Sequence, residues 1–273
     1  GVVTAGQIDV LDFADWTGAI NGTQIANQEH VLLSGTADVT FGGGPLANAN
    51  LTDGLSVEMG SGTIARFSSN FVLNGSLLNL GTLDLSSRHG AAGTTLSVGG
   101  NYAGGGNFAI DVDFATDVSD QLMVGGSVTG TTYVVVNDVS CGAATGNNVV
   151  FVTVGGTTQA GDFELANGPI SVGAYNYDAQ LAGQQWVLGV VTQPAAFAQM
   201  SRFAPTAFAS TFAFVPTAAV PALNATAALY ESAPDILLGA FTDLPSYRQR
   251  MSQRQWTSQP NGGEGFRGFW LRT

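Results

Sequence analysis

Asp111, Asp113, Asp117 and Asp120 are the densest group of side chains able to do chemistry in this 273-residue chain. Oxygen donors at that density suit Ca²⁺. Their spacing is neither that of an EF-hand loop nor that of the Gly-Gly-x-Gly-x-Asp calcium roll. A solvated strand face is therefore the favoured reading, and the calcium site the weak candidate. Paired carboxylates also cleave glycosides. An enzyme acting on acidic sugars would carry Lys or several Arg, and the first 200 residues offer only Arg66 and Arg88. His30, after Glu29, and His89, after Arg88, are the two imidazoles. Either could complete a Ser-His-Asp triad on paper, but a surface or turn histidine is the favoured reading. Cys141 lies in the turn-like VSCGAATG with Asp138 as its nearest charge, which works against a reactive thiolate. No Gly-x-Ser-x-Gly elbow is present, and without Lys no phosphate-binding loop of the usual type can be built. The glycine doublets open no strand-turn-helix unit, so they make no dinucleotide fingerprint. These residues predict no catalytic centre, no resident metal and no cofactor.

Composition narrows the classes further. All eight cations are Arg, against 20 Asp and Glu, and the net charge is −12. Such a chain offers no electrostatic footprint for nucleic acid. A single Cys makes no internal disulfide. The 10% of charged residues contrasts with about 25% in ordinary globular domains. The 45% of apolar residues is enough to bury a core. No apolar run reaches the ~18 residues of a membrane-spanning helix, and the start GVVT does not read as a signal peptide.

The elements that must hold these residues change character near residue 193. Before it, short β-type runs alternate with Gly, Asn and Asp clusters: 82–87, 95–98, 107–114, 131–137, 149–154 and 185–191. In 107–114, Phe108, Ile110, Val112 and Phe114 alternate with Asn107, Ala109, Asp111 and Asp113, which predicts one buried and one solvated face. Glycine groups at 42–44, 99–100, 104–106, 125–126 and 155–156 separate the runs, and are expected to supply positive φ at corners. Many short strands fit a sandwich or a solenoid. Weakly similar units such as SLLNLGTLDLSS, TTLSVGGNY and SVTGTTYVVVND favour the solenoid, of roughly eight to ten coils at ~20–25 residues each.

Charge shifts along the chain as well. Residues 1–200 hold two Arg and sixteen acids, and residues 201–273 six Arg and four acids. An Ala/Phe/Pro-rich stretch covers 194–224. From 225 to 256 apolar residues, Leu229, Tyr230, Leu237, Leu238 and Phe241 among them, recur at helical spacing. Pro234 and Pro245 break that pattern, each behind a plausible cap. Arg248, Arg250 and Arg254 follow, where cations complement a helix C-terminus.

Two separate segments resemble one family. NY at 101–102 before a glycine run, FAIDV at 108–112, SDQLMVGG at 119–126, VVFVTVGG at 149–156, FEL at 163–165 and WVL at 186–188 resemble the C-terminal passenger region of bacterial autotransporters, with a pertactin-like β-helix. ALYESAP at 228–234, Leu237-Leu238 and Arg248 to Arg254 resemble the linker helix that occupies the translocator pore. GFRGFWLR at 265–272 resembles the beginning of the first barrel strand. The resemblance covers roughly 95–273, and residues 1–94 fit it by texture.

It implies an all-β fold, a right-handed parallel β-helix followed by a short helical linker and an orphan first barrel strand. Residues 1–94 would form passenger coils and 95–193 the autochaperone-like C-terminal β-helix. The Ala/Phe/Pro-rich linker would run over 194–224, the pore helix over 225–256 and the start of the barrel over 257–273. Phe108, Ile110, Val112, Leu122, Val124 and Trp186 would form the autochaperone core. Tyr230, Glu231, Leu237, Leu238, Arg248, Arg250 and Arg254 would line the pore segment.

The implied partners are the chain's own outer-membrane β-barrel, which this sequence does not contain, and the outer-membrane assembly machinery. The implied place is the surface of a Gram-negative bacterium, tethered to the outer membrane. The expected role is a non-enzymatic stalk serving secretion, folding and display, with adhesion, self-association or a host ligand as further expectations. A carbohydrate-active β-helix hydrolase or lyase and a self-associating adhesive module are the competing readings. A cleft holding two carboxylates would favour the enzyme, and an ungrooved surface the stalk.

Overall fold

Strands of two to eight residues cannot bury both faces alone, and stacking them edge to edge solves this. The computed structural model describes residues 9–21, 28–42, 55–86, 91–193, 220–221, 223–224, 227, 230 and 234. The chain divides into the units Gly1–Asn224 and Ala225–Thr273.

The first unit winds as successive coils. The first coil holds β1 (Val10–Ala14) and β2 (Thr17–Asn21), and the second β3 (His30–Ser34) and β4 (Asp38–Gly42). The third adds a third wall: β5 (Leu55–Met59), β6 (Ile64–Phe67) and β7 (Phe71–Leu73). The fourth comprises β8 (Gly75–Asn79), β9 (Thr82–Asp84) and β10 (Thr95–Val98). The fifth comprises β11 (Tyr102–Ala103), β12 (Asn107–Asp113), β13 (Val118–Ser119) and β14 (Gln121–Val124). The sixth comprises β15 (Val128–Thr129), β16 (Thr132–Asp138) and β17 (Val149–Val154). The last turn holds β18 (Phe163–Leu165), β19 (Ile170–Val172), β20 (Tyr175–Ala182) and β21 (Gln185–Val190). β22 (Thr192–Gln193) and β23 (Val220–Pro221) close the series.

Among the described residues four sheets result: three long ones in the orders β1-β3-β5-β8-β11-β15, β2-β4-β6-β9-β12-β16-β18 and β7-β10-β14-β17-β21-β20-β19, and the two-stranded β22-β23. Each strand from β1 to β17, the short β13 apart, pairs in parallel with the equivalent strand one coil away, as in Asn107↔Tyr133 and Leu96↔Leu122. This is a parallel β-helix. The described coils number six and a closing turn, fewer than the expected eight to ten. Coils here take up to 31 residues (Thr132↔Phe163), and the last stretch is not a coil. There β19, β20 and β21 pair antiparallel and cap the third sheet.

Period-two patterning aims the side chains. Along β3 and β4 every second residue is buried, and along β12 Phe108, Ile110 and Val112 are fully buried. One aromatic group, Phe41, Phe67 and Phe71, fills the N-terminal coils. Another, Tyr102, Phe151, Phe163 and Trp186, fills the last coils. Each such side chain contributes roughly 1.5–3 kcal/mol by leaving water.

Three expectations are corrected. Asp111 is fully buried, not on a solvated face, and so is Asp120. The glycines at 99–100, 104–106, 125–126 and 155–156 are not at positive φ. At Gly100, Gly106, Gly125, Gly126, Gly155 and Gly156 a Cβ would strike the backbone of the coil before: at Gly126 it would lie 2.7 Å from the Gly100 carbonyl oxygen, and at Gly156 2.7 Å from that of Gly126. Lastly, the end of the expected 194–224 linker belongs to the β-sheet structure. β23 pairs antiparallel with β22, Leu223 bridges Tyr175, and the Asn224 backbone N–H donates to the Ala174 carbonyl at 2.9 Å.

In the second unit, Ala227, Tyr230 and Pro234 have helical backbone, and Tyr230 is exposed. No helix among the described residues is long and apolar enough to cross a membrane, which says nothing of a β-barrel.

Candidate functional site

The residues expected to form the autochaperone core come together. Phe108, Ile110 and Val112 on β12 and Leu122 and Val124 on β14 are buried from adjacent walls of one coil, and Trp186 on β21 is buried at the cap. The Trp186 indole packs edge-on against Phe163 at 5.4 Å, and its Nε1–H donates to Thr158 Oγ1 at 2.9 Å. Of the expected pore-segment residues only Tyr230 is described. Glu231, Leu237, Leu238, Arg248, Arg250 and Arg254 lie outside the described residues, as does His89.

Polar residues missed in the sequence bind these coils to one another. Asn79 Nδ2–H donates to Tyr102 Oη at 3.1 Å and to the Asn107 carbonyl at 3.0 Å, and Tyr102 Oη meets Thr132 Oγ1 at 3.0 Å. This chain crosses three coils inside the core. Burial pushes the Tyr102 phenol above its usual range, so it stays protonated. Tyr177 accepts the Gly146 N–H at 3.1 Å and packs its ring 4.6 Å from Phe114. A second polar ladder follows the glycine columns on the surface. Ser76 Oγ accepts the Asn101 N–H, Asn101 Oδ1 the Ser127 N–H, and Ser127 Oγ the Thr157 N–H. The recurring Gly-Gly before Asn101, Ser127 and Thr157 is the signal that could have found it.

The four aspartates do not converge on one point. Asp120 Oδ1 accepts the Gly93 and Thr94 N–H groups at 2.9 and 2.7 Å, and Oδ2 accepts the Asp111 N–H at 2.8 Å. Burial raises its pKa, against these three bonds, which lower it. Asp111 Oδ1 accepts Asn137 Nδ2–H at 2.6 Å. Asp113 caps its own turn through Ala115 and Thr116, and a hydrogen bond from the Thr116 side chain leads the effects lowering its pKa. Asp117 accepts from Thr145 and Asn147. Among the described residues no group of three or more His, Cys, Asp or Glu could hold a metal ion.

Arg66 is the one arginine among the described residues. It bridges three coils, with Nε and Nη2 on Asp38 at 2.8 and 3.1 Å and Nη1 on Asp84 at 2.5 Å. His30 sits half-buried in β3, with Nδ1 2.6 Å from Ser56 Oγ and Nε2 3.7 Å from Glu58 Oε2. These are neighbours across β3 and β5, on one sheet face. Cys141 is exposed.

A cleft of about 380 Å³ opens between β18 and β20, lined in part by Phe163, Glu164, Leu165, Asp178, Leu181 and Trp186. It holds two carboxylates, the feature named above for a glycosidase. Its aromatic walls are spent on the core: Phe163 is 1% and Trp186 2% exposed, so neither offers a ring face to a sugar.

The last coils of the parallel β-helix thus share one buried polar network and end in an antiparallel cap. Residues 72–179 match the family Autochaperone Domain Type 1. The chain is 33% identical over 202 residues to the probable autotransporter YfaL of Escherichia coli (strain K12), across 68% of this chain and 15% of that protein. It is also 37% identical over 107 residues to the uncharacterized protein YuaQ of the same strain, across 38% of this chain and 8% of that one. It thus spans no more than 15% of the length of these relatives. The autochaperone match and the likeness to a probable autotransporter support a bacterial autotransporter passenger region.

Proposed function

We propose that this chain is a non-enzymatic stalk of a surface-displayed passenger, and that its C-terminal coils seed the folding of those before them during secretion. A secreted chain meets no ATP outside the cell, so folding itself must oppose its return. In a solenoid each coil is stabilised by its own core and by its neighbour. The observation that carries the reading is the cap. β19, β20 and β21 close the C-terminal end with local antiparallel pairing, which costs little loop closure, and Phe163 and Trp186 join that cap to the coil before it. Each earlier coil then finds a finished strand edge to pair with.

On this reading the partners are the chain's own outer-membrane barrel and the outer-membrane assembly machinery, and the place is the cell surface. Adhesion and self-association remain roles for the passenger as a whole.

Hydrogen exchange on the full chain tests the seed. Amides of β12, β14, β16, β17 and β21 should exchange slowest, and those of β1 to β4 at least about tenfold faster. Slowest exchange in the N-terminal coils would remove the seed and with it the proposed direction of folding.

A further inference from the structure

Alternation of apolar and polar side chains leaves the coils a choice of register. A one-residue slip between strands turns every buried side chain outward, but a two-residue slip keeps the faces. Along β12 the buried Phe108 and Ile110 stand opposite Val134 and Val136 of β16. A slip of two would set Ile110 on Val134, still apolar on apolar. The chain from Asn79 through Tyr102 to Thr132 has no such tolerance. These side chains are fully buried, one on each of three successive coils. Tyr102 stands opposite Leu77 of β8, and a slip of two would set it opposite Gly75 or Asn79. Tyr102 Oη would then move roughly 6–7 Å along the strand, out of hydrogen-bond reach of its partner on the slipped coil. The network also carries a cost. Asn79 Nδ2 donates to Tyr102 Oη and to the Asn107 carbonyl, whereas Asn79 Oδ1 is buried with no hydrogen-bond partner among the described residues. Apolar side chains of similar size would remove that cost, so stability alone does not account for polar residues at these positions.

We propose that Asn79, Tyr102 and Thr132 select the register at which each coil is added. Such a role rests on the seeding from the cap described above, and these residues make that seeding accurate. With β15 and β16 in place, Thr132 Oγ1 meets Tyr102 Oη at the native register, where the two lie 3.0 Å apart. Tyr102, once seated, accepts the Asn79 amide of the coil before it. At a slipped register these groups are buried unpaired, which costs more than exchanging one apolar neighbour for another. Selection thus works by a penalty on wrong registers rather than by extra stability of the right one. The glycine column at 100, 126 and 156 restricts the backbone separately, and the variants below leave it intact.

The test combines Tyr102→Phe/Thr132→Val with cysteine pairs that report register. This double variant removes both hydroxyls and keeps an aromatic ring beside Phe163. In the full chain carrying Cys141→Ser, Ala109→Cys/Val135→Cys marks the native register, since these residues are partners across β12 and β16. Ala109→Cys/Tyr133→Cys and Asn107→Cys/Val135→Cys mark slips of two in the two directions, and both pairs lie beyond disulfide reach at the native register. Each protein is refolded from urea under reducing conditions and then oxidised. With the network intact, the disulfide forms at the native pair and the slipped pairs stay reduced. In Tyr102→Phe/Thr132→Val the slipped disulfides should rise at least about tenfold. Native pairing alone in that variant would overturn the proposal. So would a variant that does not refold, because the network would then be needed for stability and not for choice. Neither outcome depends on which end folds first, so the order of hydrogen exchange still decides the seeding role separately.

Discussion

Asp120 shows why single residues were the least legible level. In the sequence it is one of four acids beside a strand, and period two cannot tell a solvated carboxylate from one turned inward onto backbone N–H groups. Its three bonds join Gly93 and Thr94, before β10, to Asp111 on β12, so it spans two coils. Asp120→Asn loses one acceptor and should cost about 1–3 kcal/mol in urea unfolding. Its pH dependence has a definite sign. Burial raises the folded pKa above the ordinary value of 3.8, so Asp120 favours the fold more as pH falls through the folded value, up to a limit below 3.8. Asp113 works the other way: its pKa is lowered, so its contribution is present above 3.8 and lost as pH falls through the folded value. Stability measured from neutral pH downward should therefore show a rise that Asp120→Asn abolishes, and a later fall that Asp113→Asn abolishes. A rise that persists in Asp120→Asn would assign it to another carboxylate. Arg66 is legible only through its pairing. Arg66→Ala takes the cation from Asp84, whose side chain is 11% exposed and keeps its Ser86 bonds on Oδ1, and should cost about 1–3 kcal/mol, whereas Arg66→Lys loses the two-pronged contact with Asp38 and recovers part of that.

Elements were more legible, because alternation and glycine punctuation are local signals. The runs expected over 95–98 and 149–154 are β10 and β17, and those over 107–114 and 185–191 differ from β12 and β21 at one end only. What the sequence could not convey is why the glycines recur. Positive φ and close stacking select the same residue, and only the neighbouring coil tells them apart. Asparagine separates them experimentally, since it tolerates positive φ but carries a Cβ. At Gly183 (φ 69°) a Cβ would meet nothing within 4 Å. Gly183→Asn should change stability by less than about 1 kcal/mol. At Gly126 the added Cβ meets the Gly100 backbone, and Gly126→Asn should cost about 1–3 kcal/mol or more, because the whole coil must shift. Equal costs at the two sites in urea titrations would count against the stacking role of the doublets. The described coils are fewer than expected for a related reason: the β-type run at 185–191 reads like any other, and nothing local says that it turns back antiparallel.

For the solenoid as a whole, stability is a sum over neighbours, and the order of folding depends on which neighbours form first. Phe163 and Phe41 allow that order to be read. Both are buried phenylalanines, 1% and 2% exposed, and both sit in aromatic clusters, so truncation to Ala should cost each about 3–5 kcal/mol. They differ in place. Phe163 touches Tyr102, Phe151 and Trp186 and so joins the last coils to the cap, whereas Phe41 packs on Phe67 and Phe71 in the N-terminal coils. A contact made in the folding nucleus changes the folding rate, and one made later changes the unfolding rate. If coils are added from the cap, Phe163→Ala slows refolding from urea at least about tenfold. Phe41→Ala then leaves the refolding rate within about twofold and speeds unfolding of the N-terminal coils. Stopped-flow fluorescence follows both, since Trp186 reports on the cap and Trp16 on the first coils. The reverse assignment, with Phe41→Ala slowing refolding and Phe163→Ala not, would mean that growth starts at the N-terminal coils. A passenger emerging with its C-terminal coils nearest the membrane could then not use folding to hold itself outside.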